Sequence, residues 1–358
     1  MSFDESKVKR GRGDKGGEFV DKDGIPNNDP PSKKKKGEDM RQAMAGEHGG
    51  LHYDKEAKQW LNRKGEPIDE ETLARLKKIG ASAGYVSVSL NPDPNAHLQA
   101  WVINEKGNVK RLYTKEHGEE SAAEKFARLK DFDAALPSIS AGIAQDLNNT
   151  SLNPRQRDTN AALRLIEKTG LRPGSEKGES DLWEKGKDPI TGKATRTLIG
   201  TVKTYGVTTL EGQHVTLGPK GQINVEFLGK SGKINTRSFT DPQLSKYLSQ
   251  KNLTAGQRVF SASEDNLNAR LKSLGGKEFK VKDFRTWQGT SIALREIAKM
   301  GQPTSYKEYA DMRNAVAIKV SDFLNNTPSV ALANYIDPHV FSTWGTFDPP
   351  PAKRKKKS

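Results

Sequence analysis

Cysteine is absent from this chain of 358 residues. Its absence excludes disulfide bonds, thiolate zinc sites and cysteine nucleophiles, and it is compatible with a reducing compartment. Long apolar runs are also missing, since none approaches the roughly 20 residues that a membrane-spanning helix needs. The first residues are charged where a signal peptide would be apolar. We therefore expect a soluble protein that is neither secreted nor embedded in a membrane.

Acidic residues are too few to balance the basic ones. Lys and Arg number 59 against 45 Asp and Glu, which gives a net charge of +14. A field of that sign attracts polyanions, first nucleic acid and second anionic lipid. Apolar residues make up 33% of the chain, which is enough for real cores but leaves length for disordered segments.

Large apolar residues are scarce at both ends of the chain. Residues 1–48 contain the run Lys33–Lys36, and residues 347–358 contain the basic run Lys353–Lys357. Such segments cannot bury enough apolar surface to offset the entropy lost on ordering. We predict two disordered basic tails, which could contact phosphates, act as import signals or simply be solvated.

The spacing of apolar residues changes along the chain between the two tails. Short alternating strands come first, including a hairpin made of Leu98–Ile103 and Val109–Tyr113. From Ser121 the period is mainly helical, with one β section in its middle. The chain therefore predicts an α+β fold: a small β-rich N-terminal domain at 49–117 and a larger, mainly helical domain with a small antiparallel sheet at 118–346.

Five polar side chains of the larger domain lie where predicted elements begin or end. They are Arg172 just past a helix, Lys230 at a glycine-flanked hairpin tip, Arg285 near a helix start, Asn326 in a helix break, and Tyr335 in the next helix. Thr327 and Pro328 predict the N-cap and first residue of that last helix. Taken singly, each side chain has an ordinary explanation as a helix-dipole partner, a solvated turn or half-buried packing.

In this order and spacing, the five residues and their flanking segments resemble the type IB DNA topoisomerases, in particular the bacterial and poxvirus-like branch. The resemblance covers residues 50–345. The segments that carry it are Asn91–Ala100, Tyr205–Leu210, Phe227–Lys233, Lys282–Trp287, Asn326–Val330 and Asn334–Pro338. No single segment is decisive, but the ordered set is highly specific.

The resemblance implies that the larger domain is catalytic and relaxes supercoiled duplex DNA by transient cleavage of one strand. Tyr335 would be the nucleophile that forms a 3′-phosphotyrosyl bond. Arg172 and Arg285 would bind the scissile phosphate, and Lys230 would protonate the departing 5′-oxygen. Asn326 stands where poxvirus enzymes have histidine and many bacterial enzymes have asparagine. Lys233, on the same hairpin as Lys230, stays open as the alternative acid.

These residue types suit that chemistry in their own right. A covalent ester to an enzyme oxygen keeps the bond energy of the broken strand, so neither ATP nor a metal ion is required. Guanidinium groups match the charged oxygens of the transition state. A lysine among arginines can act as a proton donor near neutral pH, whereas asparagine can donate a hydrogen bond but cannot titrate. We therefore predict no cofactor and no metal site.

The predicted partner is double-stranded DNA, which a monomer would enclose as a clamp with basic surface on both sides. The further candidate DNA contacts are Gln99, Tyr113, Lys233 and Lys282. We expect the protein in the cytoplasm or nucleoid if it is bacterial or phage-encoded, and in the nucleus if it is eukaryotic.

Two other classes stay open at this point. A tyrosine recombinase shares the arginine, lysine and tyrosine set, but it usually has histidine at the place of Lys282 and a helical N-terminal domain. A non-catalytic DNA-packaging protein would need only the charge and the tails. Extra length at 177–204, with a predicted turn at Asp188–Lys193, could reach DNA or be a tolerated surface insertion.

Removing both tails tests their contact with DNA. Deletion of residues 1–48 and 349–358 should leave strand cleavage intact, because no catalytic candidate lies there, but it should flatten the dependence of log affinity on log salt by losing phosphate contacts. Duplex binding measured across a salt series checks this. An unchanged slope would mean that the tails do not touch DNA.

Overall fold

The computed structural model describes residues 43–105, 107–187, 194–251, 253–276 and 279–347. The predicted tails lie mostly, and the predicted turn at Asp188–Lys193 entirely, outside the described residues. The chain divides into two compact units, Met1–Ser121 and Ala122–Ser358. The sequence predicted this boundary slightly earlier, between residues 117 and 118. The mixed α+β class is confirmed.

The first unit is built on a three-stranded antiparallel sheet. Its strands are β3 (Ser87–Leu90), β4 (Leu98–Ile103) and β5 (Val109–Tyr113), preceded by a small hairpin of β1 (His52–Asp54) and β2 (Gln59–Leu61) and by helix α1 (Glu70–Lys78). The predicted β4–β5 hairpin is confirmed. Leu76 of α1 packs with Val88, Ala100 and Val102 of the sheet into one buried core.

The second unit surrounds a second three-stranded sheet with helices. Its strands are β8 (Val215–Leu217), β9 (Gln222–Gly229) and β10 (Lys233–Thr240), in the spatial order β10–β9–β8. The helices are α2 (Lys115–Leu147), whose residues up to Ser121 belong to the first unit, α3 (Pro154–Thr169), α4 (Pro242–Ser249), α5 (Glu264–Gly275), α6 (Val281–Ile297), α7 (Tyr306–Leu324) and α8 (Pro328–Asn334). None of the described helices is both long and apolar enough to cross a membrane.

Helix α6 contributes to both hydrophobic cores of this unit. Phe284 packs edge-on against Phe132 of α2, with ring centroids 5.0 Å apart, inside the core around the sheet. Ala293, two turns later, belongs to the core formed with α7 and α8. The position of α6 is therefore fixed from both sides.

Helix α2 begins at Lys115, six residues before the predicted start at Ser121. The apolar period from which the helix was predicted starts only at residue 121. The earlier turns are polar and are supported by a Lys115–Glu119 ion pair of 3.0 Å, one helical turn apart. A prediction based on apolar periodicity cannot detect such a polar helical segment.

The extra length after Arg172 forms a two-stranded hairpin of β6 (Glu179–Lys187) and β7 (Ala194–Lys203). Its first strand packs against the turn Lys230–Gly232 between β9 and β10. Sequence analysis predicted an insertion with a turn, but not these strands, because charged residues interrupt their alternation. The hairpin therefore borders a turn that carries a candidate catalytic side chain.

Asp158 of α3 is a buried carboxylate that joins separate parts of the second unit. It accepts hydrogen bonds from the hydroxyl of Tyr247 at 2.6 Å, from the backbone N–H of Ser261 at 2.8 Å and from its hydroxyl at 2.7 Å, and it pairs with Lys251. Burial acts to raise the pKa of Asp158, but these bonds outweigh it and hold the pKa below its ordinary value.

Asp158→Asn should lower the free energy of unfolding by about 2 kcal/mol at neutral pH, because bonds to a charged acceptor are the stronger ones. The folded-state pKa is depressed, so this contribution is present above the unfolded pKa of about 4 and is lost as the pH falls further. Urea unfolding at pH 7 and pH 3 measures it. Asp311→Asn, in an exposed pair with Lys307, is the control and should change little; equal losses in both variants would contradict the prediction.

Candidate active site

Arg172 is held in a short loop that follows α3. Gly170 ends the helix with a left-handed φ of 62°, the usual geometry of a glycine at a helix C-terminus. The loop is tied down by Val207 N–H donating to the carbonyl of Arg172 at 2.9 Å and Thr208 N–H donating to that of Pro173 at 2.6 Å. Segment Tyr205–Leu210 therefore positions Arg172.

Glycine is required where these two strips of backbone meet. A Cβ at Gly206 would lie 2.6 Å from the backbone nitrogen of Gly174 and 2.8 Å from the carbonyl oxygen of Arg172. Gly174 has a φ of 106°, which disfavours any other residue. The close approach sets where the Arg172 side chain starts.

Arg285 is buried in the second turn of α6, with only 3% of its surface exposed. Its guanidinium donates to the carbonyl oxygen of Gly170 and, at 2.8 Å, to that of Leu324. These carbonyls lie at the C-terminal ends of α3 and α7, where helix dipoles place partial negative charge. Burial and the charge of Arg172 nevertheless lower the pKa of Arg285 to about 10, so it remains a cation at neutral pH.

A third arginine, Arg237 on β10, was not predicted from the sequence. It donates through Nε to the carbonyl of Thr169 at 3.3 Å and also to the carbonyl of Phe323. Burial lowers the pKa of Arg237. The residue gave no signal because an arginine on a strand otherwise exposed at alternate positions is usually a surface residue. It binds the same two helix ends as Arg285.

Tyr335 ends the short helix α8, whose start is as predicted. Thr327 is the N-cap and accepts from Val330 N–H at 3.4 Å, and Pro328 is the first helical residue. The backbone N–H of Tyr335 donates to the carbonyl of Ala331 at 2.9 Å. Tyr335 is thus the C-cap residue of α8 rather than part of its regular turns.

Contacts from three residues, Thr290, Lys125 and Gly289, fix the backbone around Tyr335. The hydroxyl of Thr290 donates to the carbonyl of Tyr335 at 3.3 Å and accepts from Asp337 N–H at 3.1 Å. Lys125 of α2 donates to the carbonyl of Asn334 at 3.0 Å. A Cβ at Gly289 would overlap the carbonyl oxygen of Tyr335 and lie 3.0 Å from its Cβ. Helix α6 therefore carries Arg285 and also seats Tyr335.

The phenol of Tyr335 lies between the two predicted arginines. Arg172 donates to its hydroxyl oxygen at 3.1 Å, and the guanidinium carbons of Arg172 and Arg285 lie 6.0 Å and 5.0 Å from the ring centroid. All three residues line a cavity of about 440 Å³ together with Lys230 and Lys282. The structure thus brings together the predicted nucleophile and the predicted phosphate ligands.

Lys230 and Lys233 differ in what they contact. Lys230 is exposed in the turn after β9 and lines the cavity, and no ion pair or hydrogen bond engages it among the described residues. Lys233 is half-buried, does not line the cavity, and donates to the backbone carbonyl of Asn326 at 3.3 Å. Lys230 is therefore the lysine free to reach a ligand.

The two asparagines that follow α7, Asn325 and Asn326, have different environments. Asn325 lines the cavity, has a left-handed φ of 50°, and donates to the carbonyl of Ile234 at 2.7 Å. The side-chain amide of Asn326 is buried with neither its nitrogen nor its oxygen paired, although Asn326 is not part of the cavity wall. Asn325 was missed, and its signal was the preference of asparagine for left-handed helix ends.

The candidate DNA contacts of the first unit have different environments. Gln99 is 5% exposed, and its amide donates to the carbonyls of Pro94 at 2.8 Å and Ala96 at 2.5 Å, closing the turn before β4. Tyr113 is 45% exposed at the end of β5 and stacks on His117. A DNA contact for either residue stays a prediction, and Tyr113 is the more accessible.

The cavity suits an anion. Its wall carries the cations Arg172, Lys177, Lys230, Lys282 and Arg285 against two carboxylates, Glu179 and Glu264. No trio of His, Asp or Glu suited to a metal is found there among the described residues. A phosphate group placed beside the Tyr335 hydroxyl would therefore meet guanidinium donors that belong to the protein itself.

Comparison with known proteins agrees with this geometry. The family described as eukaryotic DNA topoisomerase I, catalytic core, matches residues 113–186 and 199–339, which include all five catalytic candidates. Between the two matched segments, the described residues are Lys187 of β6 and Ala194–Leu198 of β7.

Two curated relatives carry related names. DNA topoisomerase 1B of Acanthamoeba polyphaga mimivirus is 24% identical over 289 residues, covering 76% of this chain and 79% of the relative. DNA topoisomerase 1 of Schizosaccharomyces pombe is 30% identical over 215 residues, covering 57% of this chain and 23% of the relative. The match to the yeast protein thus spans about a quarter of its length.

Substitution of Gly289 tests the seat of Tyr335. Gly289→Ala should lower the free energy of unfolding by about 1–3 kcal/mol, because the new methyl overlaps the Tyr335 backbone. Gly118→Ala is the matched control in α2: nothing lies within 4 Å of its Cβ position, so it should raise the free energy of unfolding by about 0.5–1 kcal/mol. Denaturant unfolding measures both. A stabilising Gly289→Ala would refute the close contact.

Proposed function

We propose roles for the residues of this cavity from one premise: the chain belongs to the family of the DNA topoisomerase I catalytic core, and it is a type IB DNA topoisomerase. Its substrate is DNA. The observation that carries the residue assignment is the Tyr335 hydroxyl lying 3.1 Å from Arg172, in the same cavity as Arg285 and Lys230.

In the proposed reaction the hydroxyl oxygen of Tyr335 attacks a backbone phosphorus atom. A phosphodiester bond to tyrosine forms on the 3′ side as the bond to the 5′-oxygen breaks. The energy of the broken bond is kept in the phosphotyrosyl ester, so the released 5′-hydroxyl can attack it and reseal the strand after the DNA has rotated. No ATP or metal ion takes part.

Arg172 and Arg285 would stabilise the charge that gathers on the non-bridging oxygens. Arg285 is held rigidly by two carbonyls, and its Nε is buried without a partner. Such a donor gains a bond when an anion enters, and a preorganised donor needs no rearrangement during the reaction. Arg172, on its loop, would bridge the phosphate and the attacking oxygen.

Lys230 would give a proton to the departing 5′-oxygen, which is otherwise a poor leaving group. Its exposure at a turn allows it to approach the DNA strand, whereas Lys233 is engaged with the Asn326 carbonyl. The unpaired amide of Asn326 would donate a hydrogen bond to a phosphate oxygen after a small movement. It cannot replace Lys230 as an acid, because an amide does not titrate.

We further propose that the protein acts as a monomer and that its first unit completes a clamp around the duplex. The exposed Arg111 and Tyr113 of β5 support a DNA-facing role for that unit. Its DNA substrate would place the protein at the nucleoid of a bacterium or in the nucleus of a eukaryotic cell.

Relaxation of a supercoiled plasmid in EDTA without ATP tests the proposed function. The wild type should relax both positive and negative supercoils. Tyr335→Phe keeps the ring between the arginines but lacks the attacking oxygen, so it should bind duplex DNA, form no covalent adduct and show no relaxation. Adduct trapping with denaturant measures the chemistry separately from binding.

Three outcomes would contradict the assignment. A strict need for magnesium or ATP would exclude the proposed mechanism. Strand exchange between sites would favour a recombinase. A covalent adduct formed by Tyr335→Phe would place the nucleophile elsewhere.

Leaving-group substitution tests the acid. Lys230→Ala should slow cleavage of ordinary DNA by about 10²–10⁴-fold. It should recover toward the wild-type rate on a 5′-bridging phosphorothiolate, whose sulfur leaves without a proton. Arg172→Ala and Arg285→Ala should recover less, because their proposed role is charge stabilisation. Single-turnover cleavage of both substrates gives, for each variant, the ratio of its rate on the phosphorothiolate to its rate on ordinary DNA.

Lys220→Ala is the matched control, since Lys220 lies in the equivalent turn between β8 and β9 and should cleave both substrates at the wild-type rate. Rescue of Lys233→Ala in place of Lys230→Ala would assign the acid to Lys233. Rescue of neither would remove the acid from this hairpin.

A further inference from the structure

Two histidines and a glutamate of the first unit form a cluster that the catalytic site does not use. His97 is the residue directly before β4. His117 and Glu120 lie three residues apart in the first turns of α2, on one helix face. One ligand atom from each of the three residues lies within 4.8 Å of the others. Among the described residues no other such trio occurs.

We propose that His97, His117 and Glu120 bind one divalent transition-metal ion, with Zn²⁺ as the expected occupant. Two imidazole nitrogens and a carboxylate oxygen are donors that zinc accepts, with water filling a fourth position. Metal–ligand bonds of about 2.0–2.2 Å place tetrahedral ligands about 3.4 Å apart. The exposed side chains of His97 and Glu120 can close the remaining distance by small rotations.

Thr114 holds two of the three ligands in register. Its backbone N–H donates to the carbonyl of His97 at 2.9 Å, its hydroxyl lies 3.4 Å from Nδ1 of His97, and the same hydroxyl accepts from the backbone N–H of His117 at 3.2 Å. With Nδ1 engaged, Nε2 of His97 faces Glu120 at 3.9 Å from its carboxylate oxygen. A partner on the second ring nitrogen is the usual way in which a metal-binding histidine is oriented.

The aromatic neighbours add orientation to the second histidine. The ring of Tyr113 stacks on His117 with centroids 4.8 Å apart, and the rings of His97 and His117 lie 5.2 Å apart. A bound ion would therefore join the start of β4 to the first turns of α2 and fix the ring on which Tyr113 rests. This site is separate from the proposed chemistry, which needs no metal, and the proposal departs from the prediction of no metal site drawn from the sequence.

Zinc titration of the untagged full-length protein, followed by calorimetry, tests the proposal. The wild type should bind one equivalent at micromolar concentration, and Co²⁺ should show the visible absorption of a low-coordinate nitrogen and oxygen site. His97→Ala and the nearly isosteric Glu120→Gln should each weaken binding at least tenfold. His52→Ala, which removes another histidine of the same unit, should bind like the wild type.

Relaxation in EDTA keeps this proposal distinct from the catalytic one. Glu120→Gln should relax plasmid DNA like the wild type there, because the site supplies nothing to the reaction. Binding that is equal in the wild type, His97→Ala and Glu120→Gln would overturn the proposal, as would the absence of saturable zinc uptake by the wild type.

Discussion

The burial of the Arg285 guanidinium between two helix ends is the interaction on which the site depends. A cation with 3% exposure is tolerable only where acceptors surround it. Here the acceptors are the carbonyls of Gly170 and Leu324, at the ends of α3 and α7. The arginine therefore joins α6 to the end of α3, 115 residues earlier in the chain, and to the end of the next helix, α7. Arg237 repeats the arrangement one residue earlier at each helix end.

This arrangement ties the fold to the chemistry. Each helix that ends at Arg285 continues directly into a segment bearing a candidate catalytic group: Arg172 follows α3, and Asn326 and then Tyr335 follow α7. Helix α6 carries Arg285 itself and seats the Tyr335 backbone through Gly289 and Thr290. A displacement of α3 would move Arg172, and a displacement of α6 or α7 would move Arg285 or Tyr335. The packing of these three helices therefore preorganises the proposed charge stabilisation.

The proposed acid lies on a different kind of element. Lys230 lies in an exposed turn whose neighbours Ser231 and Gly232 both have left-handed backbone angles, and the inserted β6–β7 hairpin packs beside it. The arginines are fixed by burial, whereas this lysine is free to move onto a DNA strand. Binding a long polymer requires part of the site to remain accessible, and the proposed proton donor would have to follow the leaving oxygen.

The sequence alone determined the elements that show themselves through local pattern. The N-cap at Thr327, the β4–β5 hairpin and the α+β class all follow from short-range rules. The order and type of Arg172, Lys230, Arg285 and Tyr335 were also readable, because the resemblance lies in short ordered segments. The polar start of α2 was missed, since it has no apolar period.

Tertiary structure decided which of these residues meet. Only the folded chain shows that Arg285 is buried, that Arg237 shares its helix ends, and that Asn325 rather than Asn326 lines the cavity wall. It also brings His97 to His117 and Glu120. The physical reason is that each of these contacts joins segments whose separation in sequence carries no periodic signal, so their proximity is set by helix packing and strand pairing.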